Sequence, residues 1–422
     1  MTIKITKPLQ GGTIGAIASK SQAHRLLICA ALSSKESQVN CSEINNDINA
    51  TVRCLNALGA LIIYESGVFS ISPIKTPIRG ERILDCGESG STLRFMLPVV
   101  CALGADAQFR MGGRLPSRPL SPLYEELMAH GCAISPYGMN PLHVSGYLKS
   151  GRYTMPGNIS SQFISGLMFA LPLLSGDSMI MITGDMESKP YIDMTISALK
   201  DFGVVISQGR HSYTVKGKQH YTPGKTVDVE GDWSNAAVWL CAGAVGSGEL
   251  TVTNLNMNTL QGDRKILDFL ECFGARVNRG DDCVTVMRGE LRGIDIDAAD
   301  TPDLVPVLAA VASVAKGTTF IRNAGRLRIK ETDRLQTVTA ALSSLGADII
   351  EAKDDLIING RSRLNGGTVV ASNDHRLAML GALAATVCDN PVTITDADAV
   401  NKSYPEFFSD FAALGGIAEE VI

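Results

Sequence analysis

Six short stretches of this sequence gather residues that bind anions or move protons. Ser19-Lys20-Ser21, with Arg25 behind it, opens one apolar run, and Gly90-Ser91-Thr92, with Arg94 behind it, opens another. Gly112-Gly113-Arg114-Leu115-Pro116-Ser117-Arg118-Pro119 carries Arg118 on a loop stiffened by proline. Lys330-Glu331-Thr332-Asp333-Arg334 packs carboxylates and cations together, and at helical spacing Glu331 and Lys330 would each share a face with Arg334. Asn373-Asp374-His375-Arg376 stands directly before an apolar run, and Asn401-Lys402-Ser403-Tyr404-Pro405 follows it. A cation in the first turn of a helix opposes the helix dipole. Its placement makes sense when an anion lies there, because exposed backbone N–H groups already favour phosphate or carboxylate and arginine adds a bidentate fork. The expected chemistry is binding of phosphate- or carboxylate-bearing small molecules, with carboxyl groups at hand to move protons.

Other chemistries find little support. There is no G-x-S-x-G and no P-loop: Gly87-Glu88-Ser89-Gly90-Ser91 resembles a phosphate-cradling turn but lacks the P-loop lysine, so nucleotide hydrolysis is not indicated. The six histidines show no H-x-x-H or H-E-x-x-H spacing and the ten cysteines no C-x-x-C pair, so neither a metal nor a cofactor is expected. Cys29, Cys101, Cys241 and Cys388 lie inside apolar runs as small hydrophobes, and the scattered thiols imply a reducing, cytoplasmic setting. A net charge of −5 argues against nucleic acid or an anionic membrane as partner, so any anion site must be a local concentration of cations. The apolar runs at 26–32 and 167–174 are too short to cross a bilayer, and residues 1–7 read as a strand rather than a targeting segment.

The elements that must position these residues repeat along the chain. An amphipathic stretch ending near Leu-Gly-Ala and followed by a short apolar strand occurs six times. Its glycines, Gly59, Gly131, Gly203, Gly274, Gly346 and Gly415, are 72, 72, 71, 72 and 69 residues apart. Each glycine is expected to end a helix in a left-handed conformation. Six helix starts keep the same beat: Ser19-Lys20-Ser21, Gly90-Ser91-Thr92, Ser160-Ser161-Gln162, Asp232-Trp233-Ser234, Thr301-Pro302-Asp303 and Asn373-Asp374-His375. Their Ser, Thr, Asp and Asn residues suit N-caps. The runs behind them are apolar on nearly all sides, which marks buried helices. A chain of 422 residues is too long for one core. Six units suggest an α/β (α+β) protein of two similar domains, three units each. The expected domains are 18–230, and 1–17 with 231–422, the N-terminal strand completing the last unit. If the buried helices of each domain point alike, the domains face one another across an anion-binding cleft.

With these residues in hand, the sequence resembles the EPSP synthase (3-phosphoshikimate 1-carboxyvinyltransferase) family. The motifs that carry the resemblance are, in order, Ser19-Lys20-Ser21, Gly90, Arg118-Pro119, Ser160-Ser161-Gln162, Ser188-Lys189-Pro190-Tyr191, Lys330-Glu331-Thr332-Asp333-Arg334 and Asp374-His375-Arg376. It runs from about Lys7 to Phe408. The resemblance implies two domains, each of three β-α-β-α-β-β units, with the site between them. It implies transfer of the enolpyruvyl group of phosphoenolpyruvate to the 5-hydroxyl of shikimate 3-phosphate, a step of aromatic amino acid biosynthesis, with no metal or cofactor. Phosphoenolpyruvate would be held by Lys20, Gly90, Arg118, Gln162, Glu331, Arg334, Arg376 and Lys402. Shikimate 3-phosphate would meet Lys20, Ser21, Arg25, Ser160, Ser161, Gln162, Ser188, Tyr191, Asp303, Arg326 and Lys330, although Arg326 stands where the family commonly has asparagine. Asp303 is the expected base at the hydroxyl and Glu331 the acid/base at the methylene carbon, with Lys20 sharing the proton transfers. The sister enolpyruvyl transferase acting on UDP-N-acetylglucosamine usually carries a reactive cysteine or aspartate on the loop at 112–119, where this chain has Arg118 and no cysteine. A catalytically silent paralogue would have lost carboxylates or cations, and here Asp303, Glu331, Arg118 and Lys402 are all present. A monomer is expected, since each domain buries its own helices.

Overall fold

The computed structural model describes residues 1–75, 78, 80–223 and 226–421. The chain divides into two compact units, Ala18–Val229 and Met1–Ile17 with Glu230–Ile422. Each has its own apolar core.

The sixfold pattern of the sequence is a sixfold pattern of sheets. Among the described residues there are six four-stranded sheets, three in each unit. In one, Arg82–Asp85 pairs parallel with Ala107–Arg110. That strand pairs antiparallel with Leu142–Gly146, which pairs antiparallel with Cys132–Ile134. The same order of one parallel and two antiparallel pairings recurs in the other five. A parallel pair needs a crossover, a hairpin needs only a turn; in four of the six sheets a buried helix makes the crossover, whereas Val227–Asp228 with Ser37–Asn40 and Gly12–Gly15 with Leu250–Thr253 pair strands far apart in sequence. The N-terminus belongs to the second unit. Ile3–Lys7 lies between Val392–Thr395 and Ile417–Glu420, and Gly12–Gly15 pairs with Leu250–Thr253.

The buried helices are Lys20–Ala31, Gly90–Leu103 and Ser161–Ala170 in the first unit, and Trp233–Val245, Val305–Ala312 and His375–Ala384 in the second. Val305–Ala312 is buried at every position, and Trp233–Val245 at every position but Ser234. That is the burial expected of helices apolar all round. No helix among the described residues is long and apolar enough to cross a membrane. The six glycines of the repeat have φ between +75° and +104°, so each closes its amphipathic helix as expected.

The helix starts differ in detail from the expectation. Ser19 and Asp232 cap through their side chains, but the second cap is Ser89 and the last is Asp374, one residue to either side of the residue first in its motif. Ser160 begins its helix without a side-chain bond to the backbone. Thr301 precedes a 3-10 turn, Pro302–Leu304, and also makes no cap bond. Lys330 is extended and the helix begins only at Arg334, capped by Asp333, so neither Lys330 nor Glu331 shares a helix face with Arg334.

Gly90–Leu103 and Ser161–Ala170 pack backbone to backbone at Gly166. A Cβ built there would stand 2.3 Å from the carbonyl oxygen of Arg94. Gly166→Ala should therefore force the two helices apart and lower stability by about 1–3 kcal/mol, read as a reduced midpoint in chemical denaturation.

Candidate active site

In the first unit the three buried helices begin among cations. Arg25, 2% exposed, lies in the helix Lys20–Ala31. Its Nε donates to Thr195 Oγ1 at 2.8 Å, Nη1 to the carbonyl of Ser21 at 2.6 Å, and Nη2 to the carbonyl of Tyr191 at 2.9 Å. Every one of these partners is neutral. Burial brings the Arg25 guanidinium down to about 10, so it stays charged at neutral pH. A buried cation held by neutral oxygens keeps its charge for something else. Lys20 pairs with Asp47 at 2.9 Å.

Arg94 and Arg118 meet at Gly90. A Cβ on Gly90 would come within 2.8 Å of Arg118 Nη1 and 3.2 Å of Arg94 Nη1. The absence of a side chain is what lets two guanidinia approach the start of this helix. Arg94 also fixes Gln162: its Nη1 donates to Gln162 Oε1 at 2.7 Å, while Gln162 Nε2 donates to Ser91 Oγ at 2.9 Å. Ser160 and Ser161 are buried at the start of the third helix. Ser188 takes a left-handed conformation, φ 54°, just before the helix Lys189–Asp201 that carries Tyr191 and Thr195. Behind the Gly90 turn runs a buried chain of polar groups. His24 Nδ1 contacts Thr51 Oγ1 at 2.7 Å, Thr51 contacts Thr92 at 2.7 Å, and Thr92 Oγ1 donates to the cap oxygen of Ser89 at 2.8 Å. Burial, then the charges of Lys20 and Arg25, hold the His24 ring neutral.

The second unit is built differently. Its centre is Arg334, 1% exposed. Nε and Nη2 make a fork to Asp374 at 2.8 and 3.0 Å, Nη1 donates to Asp303 at 2.8 Å, and Nη2 donates to Glu331 at 2.7 Å. Burial works against the charge, but Asp374, Glu331 and Asp303 outweigh it and raise the Arg334 pKa. Burial alone would push the Asp303 carboxyl up; Lys330, 3.5 Å away, with Arg334 and Arg376, outweighs it and holds Asp303 well below the usual carboxylate range. Burial pushes the Lys330 ammonium down, and the charges of Arg334 and Arg326 add to that. Arg326 lies in the 3-10 turn Gly325–Ile329. Arg376 Nη1 donates to the carbonyl of Ser234 at 2.8 Å, and Lys402 Nζ donates to the carbonyl of Asn373.

Each unit by itself thus brings its share of the expected residues together. Lys20, Ser21, Arg25, Ser188 and Tyr191 belong to one connected group and Gly90, Arg118 and Gln162 to another. In the second unit Asp303, Lys330, Glu331 and Arg334 form one network. The helix starts of this unit are not simply cationic, because three carboxylates share one guanidinium. Asp303, which the Pro302 context also suits to capping, spends its carboxylate on Arg334 and Lys330. Sequence reasoning left Asp47, Thr195 and Ser234 out of the site. Thr195 lies four residues from Tyr191, a helical spacing that could have flagged it; Asp47 and Ser234 are distant in sequence from Lys20 and Arg376, the cations they contact, and had no such signal. Asp374, quoted only as part of a motif, proves to be the anchor. It takes both bonds of the Arg334 fork, accepts from Thr332 Oγ1 at 3.1 Å and caps Arg376 N at 3.0 Å. Asp374→Ala would leave a buried guanidinium short of its fork partner and a helix uncapped. It should cost about 3–5 kcal/mol, measured by urea unfolding, and Asp374→Asn should recover part of the loss.

The chain matches the family model for EPSP synthase (3-phosphoshikimate 1-carboxyvinyltransferase) over residues 3–411. It is 43% identical to a 3-phosphoshikimate 1-carboxyvinyltransferase of Clostridium kluyveri, over 97% of this chain and 96% of that protein. It is 44% identical to one of Clostridium acetobutylicum, over 99% and 98%. Among solved structures, the fold is similar to EPSP synthase from Acinetobacter baumannii, with a TM-score of 0.81, 22% identity and coverage of 99% of this chain and all of that one. It is also similar to the enolpyruvyl transferase NikO from Streptomyces tendae, with a TM-score of 0.79, 17% identity and coverage of 99% and 98%. These two likenesses speak for the fold, the full-length relatives for the rest, and together with the convergent cations and carboxylates they mean that this chain belongs to the EPSP synthase family.

Proposed function

We infer that this chain transfers the enolpyruvyl group of phosphoenolpyruvate to the 5-hydroxyl of shikimate 3-phosphate, releasing phosphate and giving 5-enolpyruvylshikimate 3-phosphate in the shikimate pathway. The observation that carries the chemical reading is the attachment of Asp303 and Glu331 to the same buried guanidinium. The reaction needs two proton movements. The hydroxyl loses its proton as its oxygen bonds to C2 of the enolpyruvyl group, and the methylene carbon gains one, giving a tetrahedral ketal phosphate. Phosphate then leaves with the C–O bond electrons, and the methyl group returns a proton as the double bond re-forms. Asp303 takes the hydroxyl proton and Glu331 serves the carbon, with Lys20 sharing the transfers.

The unliganded electrostatics add a condition. Asp303 is ionised but a weak base while Lys330 and Arg334 hold it. An anion that draws Lys330 away would raise its basicity. In this reading shikimate 3-phosphate supplies that anion, held by Lys330 with Ser21, Arg25, Ser160, Ser161, Ser188, Tyr191 and Arg326. The donor is given to Lys20, Gly90, Arg118, Gln162, Arg334, Arg376 and Lys402, whose cations offset charge on the leaving phosphate. The neutral partners of Arg25 and the twin guanidinia at Gly90 support this allocation. The ten free cysteines support a reducing, cytoplasmic setting, and a single chain supplies every residue named.

Phosphate release from phosphoenolpyruvate should depend on added shikimate 3-phosphate; release with UDP-N-acetylglucosamine instead, or with neither acceptor, would overturn the reading. Asp303→Asn and Glu331→Gln should each lower kcat by about 100-fold or more with little change in the donor KM. Near-normal kcat in both variants would remove the two carboxylates from the proton transfers.

A further inference from the structure

Asp263 has no part in the reaction as described so far. It lies in the short turn Gly262–Lys265 and is 3% exposed. One carboxylate oxygen, Oδ2, accepts the hydroxyl of Ser234. The other, Oδ1, is buried and has no hydrogen-bond partner among the described residues. A charged carboxylate in that state is costly, since a buried oxygen without a donor bears its full desolvation penalty. Ser234 connects it to the site. The Ser234 carbonyl accepts from Arg376 Nη1 at 2.8 Å, and Arg376 Nε is likewise buried with no hydrogen-bond partner among the described residues. One serine therefore ties a half-satisfied carboxyl to a half-satisfied guanidinium.

The charges acting on Asp263 come from three packed elements. Asp303, in the turn Pro302–Leu304, and Asp232, at the cap of Trp233–Val245, both disfavour a negative charge on it, whereas Arg376, at the start of His375–Ala384, favours one. Burial is the largest influence, and with the neighbouring acids it pushes the Asp263 carboxyl up to about 7, against the Ser234 hydrogen bond and Arg376.

We propose that Asp263 takes up a proton from solvent when an anion settles on Arg376, so that donor binding and protonation of this buried carboxyl are linked. The proposal rests on the reading that Arg376 holds phosphoenolpyruvate. An ionised Asp263 draws on the guanidinium's charge and repels the incoming anion; a neutral Asp263 does neither. The link is reciprocal: the anion raises the carboxyl's proton affinity, and the proton raises affinity for the anion. The sign follows. Donor binding is tightest where Asp263 is already protonated and weakens as pH rises through its midpoint. Asp263 is thus a positioning residue that acts through Arg376.

The test is the donor KM and kcat at saturating shikimate 3-phosphate, from roughly pH 6 to roughly pH 8.5, either side of the midpoint of about 7. The phosphate of the donor titrates near the lower end of this range, so the result is read as a ratio of wild type to Asp263→Asn, in which that effect cancels. Asparagine mimics the protonated acid. The KM ratio should be near one at the acid end and rise to about fivefold or more at the alkaline end, with a flat kcat ratio. Ser234→Ala, which removes the bond favouring the ionised form, should move the wild-type weakening to higher pH, and it decides the matter alone if Asp263→Asn does not fold. A KM ratio constant with pH, or an unmoved midpoint in Ser234→Ala, overturns the proposal. Arg376→Lys separates the two readings: an unchanged donor KM there means Arg376 is not the donor's residue, whereas a raised KM with a flat Asp263 ratio means that only the proton link has failed.

Discussion

A guanidinium taken out of water must be compensated, and Arg334 is compensated three times over. Its fork to Asp374 and its bonds to Asp303 and Glu331 use its donors on carboxylates drawn from three separate segments of the second unit. Removing one partner from such a buried network costs far more than the network contributes over an apolar substitute, so the arrangement is held less for stability than for placement. Asp374 makes this plain. The same carboxylate that anchors Arg334 caps the helix from which Arg376 projects. The position of the two acids and the start of the helix that carries a third cation are one structural decision.

The first unit solves the opposite problem. Arg25 is held by carbonyl and hydroxyl oxygens, and Arg94 reaches Gln162 and the carbonyl of Pro119. Neutral partners fix a cation's geometry without spending its charge. A carboxylate in their place would compete with an incoming phosphate. The same fold unit, repeated six times, thus holds its cations in two ways: Arg25 sits on neutral oxygens in residues 18–229, where Lys20 pairs with a carboxylate, and Arg334 and Lys330 are interleaved with acids in the remainder. The division matches the needs of a reaction that must both bind anions and move protons.

Much of this was legible in the chain. The glycine beat at 59, 131, 203, 274, 346 and 415 is visible because a left-handed helix end admits few other residues, and all six have positive φ. The buried helices are visible because a helix with no polar face has nowhere else to go. The motif residues were found because several short signatures fell in order along one sequence. The partners were not found, and the reason is physical. Asp47 pairs with Lys20 across 27 positions, and Thr195 with Arg25 across 170. Such pairs are created by sheet and helix packing, not by local spacing. Ser234 and Asp263 sit 29 residues apart on different elements and carry no pattern at all. Among the local expectations that failed, Lys330 and Glu331 sharing a helix face with Arg334 failed because Asp333 accepts from Gln336 N and starts the helix late.

The strand Ile3–Lys7 lies between Val392–Thr395 and Ile417–Glu420. Its partners are made only after every residue of Ala18–Val229. The order of synthesis is then also the order in which pairing partners become available. The contacts of Ala18–Val229 are all available before Ile3–Lys7 can pair, since that strand must wait for Val392–Thr395 and Ile417–Glu420. Contacts across such a sequence separation are slow to form, and an unpaired strand is an invitation to other chains.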